Sequence, residues 1–122
     1  MSRVLLAEDE FLIRAVMVDA LDEVGLHCIE AATGQAALDV VTGSDELAAI
    51  IVDIGLPDMS GEKVIEAARQ HRPDVPIIRC SGASMSQGGG GSGIHAFPKP
   101  YSPTDLSRFV ASLIGTASKQ PS

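Results

Sequence analysis

Clusters of lysine and arginine are absent from this chain, as are closely spaced cysteine pairs and long apolar runs. Nine basic residues stand against sixteen acidic ones, a formal charge of −7, so no basic patch exists to neutralise a row of phosphates. Binding of a nucleic-acid backbone by the domain itself is therefore not expected. The acidic balance serves solubility. Cys28 and Cys80 lie beside apolar or β-prone residues, with no CxxC spacing and no histidine at ligand spacing. They are expected as buried thiols in a reducing compartment, and nothing indicates a disulfide. No apolar run approaches the roughly 18 residues of a membrane-crossing helix. Met1 leads straight into a strand pattern, without a basic region and a long apolar stretch behind it,. The expectation is a soluble, cytoplasmic protein with no membrane insertion.

What is present suffices for one core. A chain of 122 residues, 45% of them apolar, supports a single compact domain and is too short for two,. Val4 to Ala7 is a short continuous apolar run, as expected of a central strand buried on both faces,. From Leu12 the apolar positions Val16, Ala20, Leu21 and Val24 recur at helical steps, and Gly25 closes that helix,. Leu26 to Ala31 reads as a strand of mixed polarity, followed by a helix capped at Thr33 and ending at Gly43,. Leu47 to Val52 is the strongest strand and terminates at Asp53. A helix follows Ser60 and Gly61 and stops before Pro73, and Val75 to Cys80 forms a fourth strand,. Ile94 to Phe97 is a short fifth strand, and Ser102 caps a last helix that buries Leu106, Phe109, Val110, Leu113 and Ile114,. Strands alternating with helices predict an α/β domain: a doubly wound, five-stranded parallel sheet in the flavodoxin-like order 2-1-3-4-5. The domain is expected over 1–115, with a flexible polar tail over 116–122,.

Such a sheet puts the C-terminal ends of all its strands along one edge. The first strand ends in Glu8 and Asp9, the third in Asp53, the fourth in Ser81, and the fifth just before Lys99. Each group alone suits a solvated loop; four complementary strand ends on one rim suit chemistry. Carboxylates this close repel unless a cation intervenes, and a hard divalent ion such as Mg²⁺ answers that need where phosphate is handled. Asp9 and Asp53 are expected to ligate it directly, Glu8 through water, and a backbone carbonyl at Gly55 to complete the protein's share. Lys99 would then bind a phosphoryl oxygen, the Ser81 hydroxyl a second, and Asp53 would be the nucleophile. His27, His71 and His95 have no complementary neighbours in the pattern and are expected at surface or helix-end positions.

The segments Leu6 to Glu10, Val52 to Gly61 (with its D-x-x-L-P-x-x-S-G run), Cys80 to Gly82 and Lys99-Pro100 together resemble the response-regulator receiver of bacterial two-component systems. The pieces occur in family order and cover nearly the whole chain. The resemblance implies that a phosphohistidine on a sensor histidine kinase or a histidine phosphotransfer protein donates to Asp53 with Mg²⁺ bound. Ser81 and Lys99 would read the acyl phosphate, and an unidentified downstream protein would receive the signal. It implies a phosphorylation switch that turns over only its own phosphoryl group, not a metabolic enzyme. The same sequence would serve as the receiver of a hybrid histidine kinase, with the tail as linker, or as a module that only binds protein. A metal-dependent aspartyl phosphatase usually has a second acid where this chain has Gly55.

Three departures from the family stand out. Ala96 stands where the family normally has an aromatic residue three positions before the lysine, and Phe97 one place later points to the other face of a strand,. That leaves two readings of Phe97: a core residue, the one favoured, or a switch aromatic restored by a strand bulge. The glycine-rich run from Met85 to Gly93 occupies the place of a family helix, which is expected to be shortened or disordered,. Gly55 and Ala83, at two positions that tend to set phosphoryl lifetime, carry little or no side chain.

Overall fold

A computed structural model describes residues 2–82 and 93–118. The glycine-rich run from Met85, save Gly93, and Ala83 lie outside the described residues, as do residues 119–122. Strands β1 (Ser2–Ala7), β2 (Leu26–Ala31), β3 (Ala49–Asp53), β4 (Ile77–Ser81) and β5 (Ile94–Pro98) form one sheet in the order β2-β1-β3-β4-β5. Every pairing is parallel. This is the expected doubly wound α/β arrangement. It follows from strands that are apolar on both faces: β3 is buried at all five positions, as is β4,.

Helices α1 (Phe11–Glu23), α2 (Gly34–Val41), α3 (Gly61–His71) and α4 (Pro103–Ser118) cover the two faces. On one side α2 and α3 contribute Ala37, Val41, Val64, Ile65 and Ala68 to a core over Leu5, Ile50, Val52 and Ile77. On the other, α1 and α4 contribute Met17, Leu21, Leu106 and Val110 over Val4, Leu6, Ile51 and Ile78. The helix starts are written in local chemistry. Thr33 accepts from the Ala36 amide at 3.0 Å, Ser60 from Glu62 at 3.1 Å, and Ser102 from Asp105 at 3.2 Å,. After α1 the chain turns through Gly25 at φ +82°, a left-handed conformation that glycine adopts without steric cost,.

One sequence expectation needs correction. Leu12 and Val16, read as part of the periodic apolar stripe of α1, are 73% and 49% exposed; Leu21 is buried as expected, and Met17, outside that reading, is buried with it. Helix α1 is apolar over more than one stripe, and the one turned to the sheet runs through Ile13, Met17, Leu21 and Val24,. Helix α4 spans Pro103–Ser118. No proline interrupts it before Pro121.

Candidate functional site

Parallel register brings the strand ends level. Ala7 pairs with Val52, Asp53 with Cys80, and Ser81 with Pro98, so the residues that leave these strands share one rim. Each is also tied by its backbone. The Glu8 amide donates to Ala31 carbonyl at 3.0 Å, Ile54 to Cys80 at 3.1 Å, and Lys99 to Ser81 at 2.9 Å. The Lys99-Pro100 peptide is cis.

Glu8 and Asp53 are buried and Asp9 is exposed. One carboxylate oxygen from each lies within 4.8 Å of the others, as the sequence pattern predicted. Lys99 Nζ donates to Asp53 Oδ1 at 3.1 Å, and the Gly55 amide donates to the same oxygen at 3.2 Å. Ser81 is buried at the end of β4, next to Cys80 and level with Pro98. The structure therefore brings Glu8, Asp9, Asp53, Gly55 and Lys99 together, with Ser81 on the same edge.

Electrostatics agree with a site short of positive charge. Burial raises the Glu8 carboxyl above its usual value; Asp53 and Asp9 push it the same way, while the Glu10 amide and Lys99 oppose,. Burial works against the Lys99 ammonium, but its hydrogen bond to Asp53 and the charges of Asp53 and Glu8 outweigh it and hold the pKa above the ordinary lysine value. Cys80 lies beneath this cluster, and burial followed by the Asp53 charge pushes its thiol up to about 12. Burial does the same for Cys28, to about 12. Both cysteines are free thiols; Cys80 is buried as expected, whereas Cys28 is only partly buried.

Phe97 packs with Tyr101 and Phe109, at ring separations of 6.3 and 5.5 Å, in the core between the sheet and α4. Ala96, its neighbour, faces solvent. The core role expected of Phe97 is the one the packing gives it. His27 and His71 are exposed, and His95 is half-buried, edge-on to Phe109 with ring centroids 5.6 Å apart.

Sequence reasoning missed two residues that shape this rim. Arg14 on α1 donates through Nη1 to the carbonyls of Glu8 (3.0 Å) and Asp9 (3.3 Å) and through Nε to Glu30 (3.1 Å). Asp58, in the loop after β3, accepts the amides of Gly34 and Gln35 at the start of α2. Arg14 was detectable as the first cation that follows the acidic pair. Asp58 carried no comparable signal.

Comparison with known proteins supports the same reading. The family model of the response regulator receiver domain matches residues 4–108. The sensor kinase CckA of Brucella abortus is 35% identical over 80 residues, 65% of this chain but only 8% of that protein's length. The response regulator receiver protein CpdR of the same organism is 30% identical over 82 residues, covering 67% of this chain and 68% of that protein. The solved structure of response regulator protein TrrA from Thermotoga maritima, in complex with Mg²⁺-BeF, is 28% identical. It aligns at a TM-score of 0.79 over 93% of this chain and 99% of that one. The family match runs from β1 into α4 and takes in every strand end described above, and on that extent the chain belongs to the response-regulator receiver family.

Proposed function

We propose that this receiver accepts a phosphoryl group onto Asp53 from a phosphohistidine, carried by a sensor histidine kinase or a histidine phosphotransfer protein. The observation that carries the reading is the Lys99–Asp53 ion pair, Nζ to Oδ1 3.1 Å, at the centre of the carboxylate trio. A carboxylate oxygen of Asp53 attacks phosphorus, the P–N bond breaks, and the imidazole nitrogen keeps the bonding pair. The product is an acyl phosphate on Asp53. Lys99 transfers its hydrogen bond from the carboxylate to a phosphoryl oxygen, and the Ser81 hydroxyl donates to a second. Both act by position and charge, which is most of what phosphoryl transfer asks of a protein.

The donor set fits a hard divalent cation: three clustered carboxylates, with Glu8 driven towards protonation by its burial and then by the charges of Asp53 and Asp9,. Asp9 and Asp53 would hold Mg²⁺ directly, Glu8 through water, and the Gly55 carbonyl would complete the protein's share. When bound, the ion supplies charge that neutralises phosphoryl oxygens. TrrA, solved with Mg²⁺-BeF, supports this assignment. Gly55 stands where an aspartyl phosphatase would place a second acid, so the chain's chemistry ends with its own phosphoryl group. The signal then passes by altered binding of a downstream protein.

Intact-mass measurement after incubation with phosphoramidate and Mg²⁺ tests this. A single phosphoryl adduct is expected on the wild type and none on Asp53→Ala. An adduct that survives Asp53→Ala would place the chemistry elsewhere. None on the wild type, under conditions that modify a control receiver, would leave a protein-binding module.

A further inference from the structure

The loop between β3 and α3 is held at both ends. At its base, the Gly61 amide donates to the Ile54 carbonyl at 2.9 Å, and a Cβ at Gly61 would sit 2.4 Å from the Asp53 carbonyl oxygen. That close approach admits only glycine and ties the loop to the backbone of the central aspartate. At its tip, Asp58 reaches across to α2: Oδ1 accepts the Gly34 amide at 2.7 Å and Oδ2 the Gln35 amide at 3.0 Å. Met59 lies over the same turn, and a Cβ at Gly34 would meet its Cγ at 2.3 Å.

The division of labour at the start of α2 is complete. A helix leaves its first amides without internal partners. Asp58 takes those of Gly34 and Gln35, the Thr33 side chain takes Ala36, and the Thr33 carbonyl takes Ala37. Helix α2 has no acidic residue in its own first turn, so the negative charge that suits its positive end comes from the loop,. The two amide hydrogen bonds hold the Asp58 carboxyl below the usual aspartate value, so it stays ionised and bonded.

Between these anchors lies Gly55, exposed and with nothing within 4 Å of where a side chain would be. Its neighbours Ile54 and Leu56 are buried in the core and its amide donates to Asp53 Oδ1 at 3.2 Å, while the loop's two tethers hold the segment on either side. We infer that Asp58 is a positioning residue for the acidic rim: by clasping the start of α2 it fixes the β3–α3 loop and thereby aims the Gly55 carbonyl at a cation held by Asp9 and Asp53. This rests on the Mg²⁺ site put forward above.

The competing reading is that Asp58 serves only as a cap for α2, and Thr33 separates the two. Thr33→Ala removes a cap from the same helix turn without touching the loop. Mg²⁺ affinity of the full chain is measured by titration, following the Gly55 amide by NMR, for wild type, Asp58→Ala, Asp58→Asn and Thr33→Ala. Thermal melts in metal-free buffer run alongside. The expected result is a rise of roughly tenfold in the Mg²⁺ dissociation constant for Asp58→Ala, the scale seen when a ligand's supporting hydrogen bonds are removed. Asp58→Asn, which keeps one acceptor oxygen, should fall between, and Thr33→Ala should bind as wild type although it melts lower. Saturating Mg²⁺ should return the phosphoramidate reaction of Asp58→Ala to the wild-type rate. The proposal is overturned if Asp58→Ala binds Mg²⁺ as wild type does, or if Thr33→Ala loses as much affinity as Asp58→Ala. Should Asp58→Ala not fold, Asp58→Asn against Thr33→Ala decides by the same criterion. Wild type that binds no Mg²⁺ overturns the metal site as well, whereas wild type that binds it while the Asp58 variants match it overturns only the clasp.

Discussion

Glu8 is buried beside two other carboxylates, with the Glu10 amide at 3.1 Å from its Oε2 as its hydrogen-bond donor. Burial and its acidic neighbours raise its pKa above 4.5. The folded protein therefore holds a proton there at pH values where the unfolded chain has released it. Stability contributed by that proton is present at low pH and is lost as pH rises from 4.5 through the higher folded value,. Glu8→Gln keeps the shape and the acceptor for the Glu10 amide while removing the charge. In the absence of divalent cations it should melt higher than wild type near pH 8, with the difference closing towards pH 4. Melts across this range check it; a variant that melts lower at high pH would show that the charge of Glu8 is already compensated in the metal-free protein. Arg14, three residues into α1, acts on the same loop by holding the Glu8 and Asp9 carbonyls rather than their side chains.

Helices α2 and α3 are joined at their ends by one side chain. Arg72, just after α3, donates to the carbonyls of Val40 and Val41 at the end of α2 and of Gly43 and Asp45 in the turn beyond it. A planar guanidinium can serve several carbonyls at once, and an ammonium cannot reproduce that fork. Arg72→Ala should cost about 2–3 kcal/mol by leaving partly buried acceptors unpaired, and Arg72→Lys should recover only part of it. Urea denaturation measures both, and the Mg²⁺ affinity should be unchanged because the contact lies at the opposite end of α2 from Asp58. Helix α1 offers the contrasting case. Met17→Ala should cost about 2–5 kcal/mol as a cavity-forming change, whereas Leu12→Ser, on the exposed stripe, should stay within about 0.5 kcal/mol. Periodicity alone could not tell these stripes apart, since both are apolar at helical spacing; only the sheet decides which one it covers.

For the whole molecule, the sheet order and the shared rim were legible because parallel strands are buried on both faces and read as apolar runs with abrupt polar ends. Glu8, Asp9, Asp53, Ser81 and Lys99 each sit at such an end, so topology alone brings them to one edge. Arg72 and Asp58 were not legible, because each serves backbone groups of an element 23 to 32 residues away, for which no local pattern exists. The charge of the rim then links site to global stability. Among the described residues it gathers three carboxylates against Lys99, so an ion that binds the folded chain alone stabilises it by mass action,. At a Mg²⁺ concentration of about one hundred times its dissociation constant the gain is about 2.7 kcal/mol, which raises the melting temperature by on the order of 10 °C for a domain of this size. The same ionic strength supplied as potassium chloride should give only a small fraction of that. Asp9 is the residue to remove, because it is exposed and its loss leaves no cavity. Asp9→Ala should melt close to wild type without metal and lose most of the Mg²⁺-dependent shift. An undiminished shift would mean that the ion is held by some other set of groups.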